Sequence, residues 1–234
     1  MEFMNDLLFG IYPYIALAIF VIGSLIRYDR DQYSWKTGSS QMLESKLLRK
    51  GSMPFHVGII AVLAGHFVGL LTPHQVWDFL HVSAPMKQVF AMAMGGFFGL
   101  ICFYGLTILI IRRFTNERVK ASSSAMDNAI LLLIYAQLIL GLASIVVSTG
   151  HLDGKEMLLL MSWAQNMVTF QGGDAAEAIA GVHWIFKLHV FLGMSLFAVF
   201  PFSRLVHVWS VPVKYFRRNY QIVRLKNDQN VRKG

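Results

Sequence analysis

The chain has 234 residues, of which 55% are apolar and only 15% charged, with a mean hydropathy of +0.51. Soluble domains carry about 25% charged residues, so this composition excludes an ordinary soluble enzyme or binding module and points to an integral membrane protein. The formal charge of +8 does not indicate nucleic acid, because six Lys/Arg fall in residues 27–50, four in 112–120 and eight from 204 onward, or 18 of the 21. These stretches are alternate connections, which is the positive-inside asymmetry. It places the N-terminus outside, the C-terminus and both basic loops in the cytoplasm, and segments 72–87 and 149–181 outside, with anionic lipid as a secondary partner. Cys102 is the sole cysteine. The chain therefore supplies no four-thiolate iron–sulfur cluster, no Cys-x-x-Cys-His haem attachment and no internal disulfide.

A hydrocarbon core about 30 Å thick takes about 20 residues of helix, and five runs qualify: roughly 7–26, 53–71, 89–111, 128–147 and 182–206. The first has Glu2 and Asp6 where a signal peptide has basic residues, and it lacks a small-residue cleavage motif, so it reads as a retained anchor. The second carries His56 and His66 beside Gly58, Gly65 and Gly69. Loop 72–87 sets Trp77 and Phe79 between Pro73 and Pro85, as a short amphipathic piece at the outer interface. The longest connection, 148–181, is expected to contain one short helix around 155–168, with Gly172–Gly173 as a turn. The fifth run has Lys187 near its start and Arg204 near its end. The fold class is all-α: a single integral membrane bundle of five transmembrane helices. Residues 207–234 form a cytoplasmic tail that is solvated, lipid-facing or docked on a cytoplasmic partner.

Eight histidines are present. His74, His81 and His151 lie in outer loops, where solvation is the default. Ionisable side chains at membrane depth are costly and imply function, and neutral imidazole is a preferred axial ligand of haem. Helices two and five run in opposite directions, so His66 shares a depth with His189 and His56 with His207. His183 competes with His189, but it starts helix five on a different face. Residues 189 and 207 are separated by five whole turns at 100° per residue, on one face of an unbroken helix. One tension accompanies this pairing. At 1.5 Å per residue the first pair of positions spans about 15 Å and the second about 27 Å, so tilt, oblique haem planes or a kink near Pro201 must absorb the difference. Two haems, a proton or ion pathway, and isolated hydrogen-bonded histidines are the competing readings. The small residues Gly58, Gly65, Gly69 and Gly193 give either clearance for a porphyrin or plain helix packing.

The segment from Phe186, FKLHVFLGMSLFAVFPFSRLVHVWSVPVKY, resembles the last membrane helix of the gamma subunit of respiratory nitrate reductase, a dihaem cytochrome b. IYPYIALAIFVIGSLIRYDRDQYSW, SSQML and FHVGIIAVLAGHFVGLLTPH are similar to that family's first two helices. The likeness runs nearly end to end and is weakest in 149–181 and after Arg224. It implies bis-histidine ligation of two b haems, by His66 and His189 for the outer haem and His56 and His207 for the inner. It further implies an oxidoreductase subunit in a bacterial or archaeal cytoplasmic membrane. That subunit oxidises menaquinol or ubiquinol at the outer face and passes electrons to an iron–sulfur beta subunit and a molybdenum alpha subunit. Lys87, in PMKQVFAMAMGG, falls where the family has a lysine tied to quinol, with Gly65 and His66 nearby.

With both axial positions taken, a haem iron has no open site for substrate, which favours electron transfer. Lys87 is either a quinol or propionate donor or an interface anchor. Arg204, Arg27, Arg112 and Arg113 suit propionates or topology alone, while Trp209 and Tyr215 suit the aromatic belt. Two rivals stand beside this reading. One is a dihaem cytochrome b of another quinol-linked reductase, for example in sulfur metabolism; the other is a haem-free transporter with a histidine proton relay.

Overall fold

The structure is a computed structural model and describes residues 2–35, 40 and 42–209. Tyr215 and the docking role expected of the tail after residue 209 lie outside the described residues. Among the described residues every regular element is helical, and five helices are long and apolar enough to cross a membrane: Glu2–Arg30, Lys46–Leu71, Ala84–Thr115, Ala125–Ser148 and Trp184–Phe202. The first four extend beyond the apolar runs because polar residues at their ends still form and cap helix. Ser83 accepts from Met86 N–H ahead of helix three, with Pro85 in the first turn. Ser124 and Asp127 form a reciprocal capping box ahead of helix four.

The fifth helix departs from expectation. Its α-helical part ends at Val199, a 3-10 turn covers Phe200–Phe202, Ser203 is extended (φ −111°, ψ 177°), and a second 3-10 turn covers Arg204–Val208. Pro201 has no N–H to donate, and the extended Ser203 ends the ladder. His189 and His207 therefore do not ride on one unbroken helix, and counting 27 Å along an axis does not apply to them. The kink near Pro201 takes the form of a break.

Helix three lies along helix two and also contacts helix four, while helix five packs on helices one and four. Glycine makes the first of these contacts close. A Cβ on Gly58 would sit 2.6 Å from Cys102 Cβ, and one on Gly105 would run into the Phe55 nitrogen. Gly58 is thus a packing residue, whereas a Cβ on Gly65 or Gly69 would meet nothing within 4 Å.

Short helices cover the bundle end that carries the N-terminus. Lys155–Val168 was expected as a helix, His74–Phe79 is the form taken by the amphipathic piece expected within 72–87, and Gly172–Ala180 was not expected. Gly172–Gly173 opens that third helix instead of forming a turn, because Gly172 backs directly onto Gly10, whose carbonyl would lie 2.8 Å from an added Cβ. Phe9, Trp163, Met167, Ile179 and Phe186 fill the core beneath. Pro13 cannot bond back to Phe9 O, four residues earlier, and the Trp163 indole N–H takes that carbonyl at 3.0 Å. A second, smaller core gathers around Leu106, Leu138 and Cys102, and many other large apolar side chains face outward, among them Ile22, Leu25, Ile60, Phe67, Phe97 and Leu100. That pattern suits hydrocarbon as the solvent.

Candidate functional site

The rings of His66 and His189 face each other with centroids 6.0 Å apart, and those of His56 and His207 with centroids 6.4 Å apart. Helices two and five make no extended contact with each other among the described residues, so the two ring pairs bridge a slot between them. Three of the four rings are oriented alike. His56 Nδ1 donates to Ser52 O (2.7 Å), His66 Nδ1 to Val62 O (2.8 Å) and His207 Nδ1 to Arg204 O (2.7 Å). A carbonyl only accepts, so Nδ1 carries the proton and Nε2 keeps a free lone pair, the form in which histidine ligates metal. Helix geometry explains two of these: a residue's ring can fold back onto the carbonyl four positions earlier.

His189 is held differently. Its ring lies over Gly141 of helix four, where a Cβ would be 3.1 Å from Cε1. Gln137, one turn before Gly141, donates its amide to His189 O at 3.0 Å and sits 3.4 Å from His189 Nε2. His189 Nδ1 and Gln137 Oε1 are both buried without a partner. Sequence reasoning missed Gln137 and Gly141. The signal was available: an amide in the middle of an apolar membrane run is costly unless it bonds to something.

The donor set fits a haem at each pair. No cluster of three or more His, Cys, Asp or Glu stands ready to hold a bare ion among the described residues, whereas a porphyrin needs only two axial ligands from the protein. With imidazole–metal bonds of about 2.0 Å and a centroid about 1.1 Å behind the bonding nitrogen, two imidazoles across one metal have centroids about 6 Å apart. Both observed spacings match. The remaining histidines take no part: His183 caps helix five by accepting from Ile185 N–H, His74 pairs with exposed Asp78, His151 accepts from Gln88 through its carbonyl, and His81 has φ 55° in its loop.

Lys87 is buried, not snorkelling. Pro73 cannot bond back to Gly69 O, and Lys87 Nζ donates to that carbonyl at 2.8 Å, touches Met161 Sδ, and lies 4.4 Å over the Trp77 ring. Gln165 takes Leu70 O and Thr72 O. Together they satisfy Gly69 O and Leu70 O in the last turn of helix two and Thr72 O just beyond it, which lipid would leave bare. Gly69 is one turn beyond Gly65 and His66.

The arginines also have protein partners. Arg112 bonds Glu44 and Ser40, tying the loop before helix two to the end of helix three. The Leu47 N–H, then the Arg112 guanidinium, hold the Glu44 carboxyl below its usual range. Arg113 donates to Ser123, and Arg204 lies 3.6 Å from Asp127. Arg27 spans the break in helix five.

Comparison with known proteins decides the family. The nitrate reductase gamma subunit family matches residues 5–226. This chain belongs to that family. It is 48% identical over 227 residues to the respiratory nitrate reductase 1 gamma chain of Escherichia coli (strain K12), covering 97% of this chain and all of that one. It is 35% identical over 223 residues to the nitrate reductase gamma chain of Bacillus subtilis (strain 168), covering 95% and 99%. A more distant likeness, 26% over 267 aligned positions covering 89% and 78%, is to an Hdr-like menaquinol oxidoreductase cytochrome b-like subunit of Archaeoglobus fulgidus. Membership in the gamma-subunit family makes this chain an oxidoreductase subunit, in agreement with its five membrane-length helices.

Proposed function

We propose that this chain is the dihaem cytochrome b subunit of a respiratory nitrate reductase in a bacterial or archaeal cytoplasmic membrane, with its N-terminus outside and its C-terminus in the cytoplasm. When bound, the two b haems supply one-electron steps between quinol and an iron–sulfur beta subunit, which serves a molybdenum alpha subunit that reduces nitrate. His66 and His189 hold the outer group and His56 and His207 the inner. The observation that carries this reading is the pair of imidazole spacings, 6.0 and 6.4 Å, at two levels of one slot. The menaquinol named in the archaeal relative supports a quinol as donor.

The chain's own groups divide the remaining work. Val62 O, Ser52 O and Arg204 O keep three imidazoles in the ligating tautomer. Two imidazoles held at each haem would leave its iron no open position for a competing ligand, so the group would supply electron transfer alone. Quinol is assigned to the His66 end, where Gly65 leaves the helix surface open. Lys87, which fixes the end of helix two at Gly69 O and Met161 Sδ and lies over the Trp77 ring, borders that end, and its ammonium is the group assigned to a quinol oxygen. Protons released there leave on the outer side while electrons move inward, which adds to the proton-motive force.

The test is spectroscopic. Purified from membranes, the complex should show a b-type alpha band and two haems per chain by pyridine haemochrome. His66→Ala should remove one haem and His56→Ala the other, each halving the content. A haem-free preparation, or variants that keep both haems, would refute the assignment. Copurified iron–sulfur and molybdenum subunits with nitrate reduction separate it from the sulfur-linked rival.

A further inference from the structure

Helix five breaks where the inner histidine needs it to. An unbroken helix would carry position 207 about 27 Å along the axis from 189, while positions 56 and 66 are only about 15 Å apart on helix two. With the break, the His207 ring comes to 6.4 Å from that of His56. A break inside a membrane protein frees carbonyls that lipid cannot satisfy, so something in the protein must hold it.

Helix one supplies that hold. Arg27 Nη1 donates to Pro201 O at 2.6 Å and to Ser203 O at 2.8 Å, one on each side of the last residue before the extended turn. The other edge of the same guanidinium is anchored by Ser34, through Nη2 to its carbonyl (3.0 Å) and Nε to its hydroxyl (3.1 Å). Gly23 lies one turn before Arg27 on the same face. A Cβ there would be 2.9 Å from both Cβ and Cγ of Pro201, so the proline ring seats against bare backbone. From Ser203 the contacts run on without a gap: its hydroxyl accepts from Leu205 N–H, which opens the final 3-10 turn, and His207 Nδ1 donates to Arg204 O in that turn.

We propose that Arg27 and Gly23 are positioning residues for His207, acting by holding the break in helix five in register with helix one. The inference rests on the haem reading above. It concerns geometry, so it predicts the same effect from a change that removes a charge and from one that removes none.

The experiment uses the whole complex, oxidised, with low-spin haem signals read by electron paramagnetic resonance and each haem followed by redox titration. Arg27→Gln and Gly23→Val should each shift the inner-haem signal or cut its intensity at least two-fold, while the outer-haem signal stays put and reports a folded bundle. Arg27→Lys, which can still reach the two carbonyls, should recover part of the signal. Gly23→Ala, a smaller step into the same contact, takes the place of Gly23→Val should that complex fail to assemble. Inner-haem signals unchanged in both variants, with two haems present, overturn the inference alone. An effect from Arg27→Gln but none at Gly23 overturns it too, since charge and not position would then be responsible. A wild-type complex without b haem overturns both this inference and the reading it rests on.

Discussion

Three of the paired imidazoles orient themselves on carbonyls of their own segment, and the fourth borrows its environment from helix four. The carbonyl of His189 accepts from the Gln137 amide N–H, while His189 Nδ1 and Gln137 Oε1 are each buried without a partner. Loss of a group that orients a metal-binding histidine typically costs about 10- to 100-fold in affinity. Gln137→Leu is therefore expected to weaken outer-haem binding by about that factor, leaving the inner haem in place. Haem content and the outer-haem titration in the purified variant check this; full retention of an unshifted outer haem would show that Gln137 only packs. Arg112 and Lys87 make the complementary point. Both sit where sequence reasoning allowed a cofactor role, and both hold protein groups: Ser40 and Glu44 for Arg112, the end of helix two for Lys87.

At the level of elements, the pairing of helices two and three decides how firmly His56 and His66 are placed. Gly51, Gly58, Cys102 and Gly105 bring the two backbones together, and Gly105 has no room for a methyl group beside the Phe55 nitrogen. Overpacking between side chains costs about 1–3 kcal/mol, and here backbone must move as well, so Gly105→Ala should cost at least that much. Gly65→Ala faces open space and should stay within about 0.5 kcal/mol of wild type. Thermal unfolding of the two variants in detergent checks the contrast, and equal midpoints would contradict it. Helix ends follow the same economy: Pro13 and Pro73 each release a carbonyl, and Trp163 and Lys87 each recover one.

For the molecule as a whole, the slot between helices two and five has the largest consequence. Helix two packs mainly on helix three, and helix five on helices one and four, so the bound haems would join the two halves of the bundle. A group that binds only the folded state stabilises it by mass action, by about 4 kcal/mol at a thousand times its Kd. Protein produced under haem starvation should accordingly melt at a lower temperature than the holo form and be cut faster by protease. Identical melting of the two forms would argue against haem bridging the slot.

Much of this was legible in the chain alone. Run length and polarity are local properties, so five membrane helices, the 155–168 helix and an amphipathic piece within 72–87 could be read directly, as could the family, from long motifs in helices one, two and five. The meeting of His66 with His189 and of His56 with His207 followed from helices running in opposite directions. The break before His207 did not, because what holds it lies 174 residues away in Arg27, and Pro201 alone announces only a possible bend. The Gly172–Ala180 helix was invisible for the same reason, and Gln137, although marked by its place in an apolar run, had no legible partner until the fold set it against His189. Each depends on a backbone or ring brought up from another part of the chain, and only the packed bundle decides which carbonyls are left bare and which side chain reaches them.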